Sequence, residues 1–77
     1  MFDQDFLIQT FYENITEQEC TLMAKRACQR LGISREQVVF MAVNGIHLPN
    51  DIIIQEIKNT YGEATWIAHL NNVARLN

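Results

Sequence analysis

Three glycines and one proline punctuate this 77-residue chain, and the stretches between them carry apolar residues at helical spacing. Gly32, Gly45 and Gly62 each follow such a stretch, and Pro49 stands just ahead of another. Glycine commonly closes a helix and proline is tolerated where one begins, so the punctuation predicts helices in series. No segment reads as a strand, because Val38-Val39 and Ile52-Ile53-Ile54 fall inside helical frames.

The first helix is expected from about Asp3 to Glu13, with Leu7, Phe11 and Ile15 on one stripe, Phe6 beside it and Asn14 closing it in a left-handed turn. Thr16-Glu17-Gln18-Glu19 has the form of a capping box, in which a hydroxyl and a carboxyl satisfy free amides at a helix start. The helix that follows places Cys20, Met23, Ala24, Ala27, Cys28 and Leu31 inward, and Lys25, Arg26, Gln29 and Arg30 outward. Ser34-Arg35-Glu36-Gln37 is a second capping box and opens a third helix that reaches about Val43 before Asn44-Gly45. Asn50 is the expected cap of a fourth, with Ile53, Ile54, Ile57 and Tyr61 buried. A fifth carries Trp66, Ile67, Leu70 and Val73 on one face, and Asn71, Asn72 and Arg75 on the other.

The fold class implied is all-α: a compact bundle of about five short helices in one domain spanning 1–77. A chain of this size buries only about 60% of its unfolded surface, so the core is small. Its longest apolar run, Val38–Val43, is far short of a membrane span. The acidic start, MFDQDF, is unlike a secretory signal, and a cytoplasmic location is expected. Cys20 and Cys28, eight positions apart on one helix, lie too far apart to pair with each other. Neither His47 nor His69 is spaced from a cysteine as in zinc sites, so no metal or other cofactor is expected.

The net charge of −3 disfavours a nucleic-acid partner at first sight, but its distribution does not. Residues 1–24 hold five acids and no base, whereas Lys25, Arg26, Arg30 and Arg35 gather four of the six bases. A local basic patch on an acidic chain can still engage phosphate.

The patch overlaps Leu31-Gly32-Ile33-Ser34-Arg35, which resembles the turn of the lambda-repressor and Cro family of phage and bacterial regulators. The resemblance covers roughly residues 24–62. Val38 and Met41 fall where that family's second motif helix plugs into the core, and Asn44-Gly45 resembles the end of that helix. Pro49, Ile54, Ile57, Tyr61 and Gly62 are similar in spacing to its fourth helix. Three departures stand beside these matches. Gly32 and Gly45 lie one position farther apart than the family's spacing, Ala24 replaces the glutamine that often opens the motif, and Glu36, Val39 and Phe40 bring one acid and two apolar groups to the reading helix.

The resemblance implies a lambda-repressor-like helix-turn-helix at about 24–44 and a small transcriptional regulator whose third helix enters the major groove of duplex DNA. Arg35, Glu36, Gln37 and Phe40 would then be base-contact candidates, and Lys25, Arg26, Ser34, Asn44 and His47 phosphate contacts. Useful specificity from so few contacts implies a homodimer.

Other readings of the same residues stay open. Val38 through Val43 is apolar nearly all round, as in an enclosed central helix, which could not enter a groove. If it is exposed, Val39, Phe40 and Val43 form a patch suited to another protein, making the chain a small inhibitor or antirepressor that does not bind DNA. Lys25, Arg26 and Arg30 also read as an ordinary solvated face. An enzyme is not expected, because the sequence has no Gly-rich phosphate loop, no Ser or Cys credibly paired with a His, and little volume for a substrate cavity.

Overall fold

The computed structural model describes residues 3–76, and within them the chain forms five helices and no strand. They are α1 (Gln4–Tyr12), α2 (Glu17–Arg30), α3 (Arg35–Val43), α4 (Asn50–Tyr61) and α5 (Glu63–Leu76). The all-α expectation therefore holds. No helix among the described residues is long and apolar enough to cross a membrane.

Both capping boxes form. Thr16 Oγ1 accepts from the Glu19 amide at 3.1 Å while Glu19 Oε1 accepts from the Thr16 amide at 3.2 Å. Ser34 Oγ and Gln37 Oε1 make the same exchange at 3.2 and 2.9 Å. The ends of α2 and α3 also match each other. Gly32 and Gly45 adopt φ of +72° and +65°, and the residue after each donates back into the helix, Ile33 to the Cys28 carbonyl at 2.9 Å and Ile46 to the Met41 carbonyl at 2.8 Å. Only glycine reaches this turn without steric cost.

Two expected caps differ. Asn14 keeps negative φ and donates through its side-chain amide to the Thr10 carbonyl at 3.0 Å, so α1 ends without a left-handed residue. Asn50 does not cap α4 but is its first helical residue, after Pro49 in an extended conformation. Its amide is drawn instead to Asp5 Oδ1 at 2.7 Å, which ties α4 to the start of α1.

α4 is the hub of the bundle and packs against α1, α2 and α5. Phe11, Met23, Ile57 and Trp66 form the buried cluster, with Ile57 at 0% exposure, and Leu7, Tyr12, Ile15, Ile53, Ile54, Tyr61 and Leu70 pack around it. Phe11 sits at its aromatic centre, 5.4 Å from the Tyr61 ring, 5.9 Å from Trp66 and 5.3 Å from His69 in an edge-to-face contact. Such pairs add to the stabilisation from burial.

The buried stripe of α5 is Trp66, His69 and Val73 with Leu70 partly buried, while Ile67 stands half exposed. His69 Nε2 lies 3.0 Å from the Leu7 carbonyl and 3.1 Å from Thr10 Oγ1. A carbonyl only accepts, so this contact requires the Nε2–H tautomer. With its polar edge satisfied, the ring packs like an aromatic hydrocarbon and takes the place expected for Ile67.

A second polar tie reinforces the α2–α4 contact. The Tyr61 hydroxyl donates to Glu19 Oε2 at 2.5 Å, so one carboxylate caps α2 and anchors α4. The Tyr61 bond, with those from Thr16, holds the Glu19 carboxyl below its ordinary value of 4.5. Burial, then the Glu19 carboxylate beside it, pushes the Tyr61 phenol from 10.0 up to about 12.

Two outcomes are expected. Truncating Ile57→Ala should cost about 2–5 kcal/mol in denaturant unfolding, because the site is closed on all sides. In the pH dependence of stability, the folded state holds the Tyr61 proton more tightly than the unfolded chain. Its contribution is therefore complete below pH 10.0 and lost as pH rises toward about 12. Glu19 has the opposite sign, its contribution being present above pH 4.5 and fading as pH falls below it. Tyr61→Phe should shrink both the alkaline loss, to which Tyr12 and Cys20 also contribute, and the acidic one.

Candidate functional site

α3 is the helix whose burial decides what this chain can present, and it holds no buried residue. It makes no contact with another helix as extensive as those that join α4 to α1, α2 and α5. The enclosed-helix reading therefore fails. Its sequence is apolar almost all round, but the bundle completes its core without it.

Position around α3 sorts its residues into two faces. Val38, Met41 and Ala42 follow the three-and-four spacing of one face and line a cleft of about 710 Å³. Opposite them, Glu36, Val39, Phe40 and Val43 face solvent, with Val39, Phe40 and Val43 at 56, 61 and 79% exposure. Ile46, just past the end of the helix, is also exposed.

The residues proposed to read bases do not share one face. Glu36 and Phe40 lie outward, whereas Arg35 and Gln37 fall on opposite flanks at 100° per residue. All four are exposed. Gln37 and Ser34 are engaged in the capping box, and Asn44 donates its side-chain amide to the Phe40 carbonyl at 2.7 Å. Lys25 and Arg26 stand exposed on α2, and His47 lies in the segment 45–48 that forms one wall of the cleft.

The cleft separates α3 and residues 45–48 from the body formed by α1, α2 and α4. Ile8 and Tyr12 contribute from α1, Met23 and Ala27 from α2, and Ile53 and Glu56 from α4. Glu56 is the residue that sequence reasoning missed. It is 4% exposed, its Oε2 accepts from Arg30 Nε at 3.1 Å, and its Oε1 has no hydrogen-bond partner. A signal was available, because Ile53, Glu56, Ile57 and Thr60 run at three- and four-residue spacing and so put an acid on an apolar stripe.

Burial pushes the Cys20 thiol above its ordinary value, and burial likewise raises the Tyr12 phenol. Among the described residues, no three His, Cys, Asp or Glu side chains converge as a metal site would require.

Because α3 relies on its caps and terminators more than on burial, its amides should exchange with solvent at least about tenfold faster than the central amides of α4. Ser34→Ala should widen that gap by removing about 1 kcal/mol from α3. Protection of α3 equal to that of α4 in hydrogen exchange would contradict the exposed placement.

No protein-family model, no curated protein and no solved structure matches this chain.

Proposed function

We propose that this chain is a non-enzymatic interaction module that docks the outer face of α3 into an apolar groove of a protein partner. The observation that carries the proposal is the exposure of Val39, Phe40 and Val43 together on a helix with no buried residue. Contiguous apolar surface of this kind is unfavourable in water at about 25 cal/mol per Å² and is commonly relieved by association. Anchors at three- and four-residue spacing are also how an amphipathic helix engages a groove. Glu36 on the same face, and the net charge of −3, favour a groove with a basic rim.

The second reading is the lambda-repressor-like regulator that binds duplex DNA as a homodimer. What favours it is Arg35, exposed at the start of an exposed helix, with Lys25 and Arg26 exposed on the helix before it. An arginine so placed has the geometry to engage guanine. Against it, the outer face of α3 offers an acid and three apolar groups where base reading needs donors, and Gln37 is held in its cap.

Crosslinked partners recovered from the source cell with wild-type, Phe40→Glu and Arg35→Ala chains separate the two. A protein partner should lose about tenfold or more in affinity with Phe40→Glu and bind Arg35→Ala unchanged. Salt-sensitive enrichment of a short two-fold sequence from a random duplex pool, abolished by Arg35→Ala, would overturn the proposal in favour of the regulator.

A further inference from the structure

The inner side of α3 raises a separate question, because a cleft of about 710 Å³ is large for so small a chain. Sites for small molecules commonly span about 300–1,000 Å³ and pair apolar walls with a few polar groups. Here the walls include Ile8, Met23, Ala27, Met41, Leu48 and Ile53, and Glu56 stands among them. We propose that this cleft binds an apolar small molecule carrying one primary ammonium group, anchored on Glu56 Oε1.

The carboxylate selects the ligand. Arg30 holds Oε2 at 3.1 Å, which fixes the Glu56 carboxyl in place, while Oε1 is left without a donor. A buried carboxylate oxygen without a donor is unfavourable, and an N–H brought to it is rewarded strongly because the bond is charge-assisted. Only one oxygen is free. That suits the point charge of an ammonium better than the two-pronged fork of a guanidinium.

The other charged and titratable groups agree with a cation. Asp5 also lines the cleft and accepts from Asn50 at 2.7 Å, His47 stands on the opposing wall, and Arg30 is already paired. A carboxylate ligand would meet two acids and no free arginine. Met23 and Met41 give the walls adaptable shape for an apolar body of varied outline.

Glu56 Oε1 is shielded from water, so the ligand reaches it by displacing side chains of the cleft. α3 resists that displacement least, since nothing on it is buried. The inference does not depend on what binds the outer face, which uses different residues of the same helix.

The test is a methyl-detected NMR titration of the intact chain with 2-phenylethylamine, 2-phenylethanol and 3-phenylpropionate at millimolar concentration. Saturable shifts at the Met23, Met41 and Ile53 methyls are expected with the amine, about tenfold weaker binding with the alcohol, and none with the carboxylate. Glu56→Gln should bring the amine down to the level of the alcohol. Met41→Trp, which fills the cleft from the α3 side, should block both while leaving Glu56 in place. Equal binding of amine and alcohol by the wild-type chain, or no shift at these methyls, overturns the proposal even if Glu56→Gln fails to fold.

Discussion

The burial of one face of α4 is the constraint on which the rest of the structure depends. Ile57 is sealed where α1, α2 and α5 meet that helix, and each neighbour is tied to the cluster by a further specific contact. Phe11 and His69 join α1 to α5, Tyr61 and Glu19 join α4 to α2, and Asn50 and Asp5 join α4 to α1. A small chain has few apolar groups to spare, so these polar ties orient helices that hydrophobic burial alone would leave free to slide.

That economy also explains α3. Four helices suffice to cover Ile57, and the apolar residues of the third are left for the two surfaces beside it. Its inner face closes a cleft instead of a core, and its outer face meets water. The same helix therefore presents two distinct apolar surfaces, one of Val39, Phe40 and Val43 and one of Val38, Met41 and Ala42, and neither takes part in the packing around α4.

What was legible in the sequence was local. Thr16 with Glu19 and Ser34 with Gln37 announced helix starts to the residue, because a capping box is satisfied within four positions. Gly32 and Gly45 announced the ends for the same reason. Periodicity identified Phe11, Met23, Ile57 and Trp66 as core but misplaced Leu31 and Ile67, which stand half exposed. Asn50 was misread likewise, its side chain being claimed by Asp5, forty-five positions away. Glu56 lies on the apolar stripe of α4, but its ion-pair partner Arg30 stands on another helix, where the spacing along α4 cannot show it. The exposure of α3 lay beyond periodicity altogether: a run that is apolar all round looks the same whether it is enclosed or merely unclaimed.

Gly62 alone separates α4 from α5, so those two helices meet with almost no chain to close between them. The contact of α1 with α5 is the opposite case, since Thr10 and His69 are fifty-nine positions apart. Loop-closure entropy orders these events, and the α4–α5 corner can assemble long before α1 and α5 find each other. During synthesis the contrast sharpens, because α1 leaves the ribosome before the helices that carry its aromatic partners. α1 is made well before the partners that house it, and until they arrive Phe11 travels uncovered.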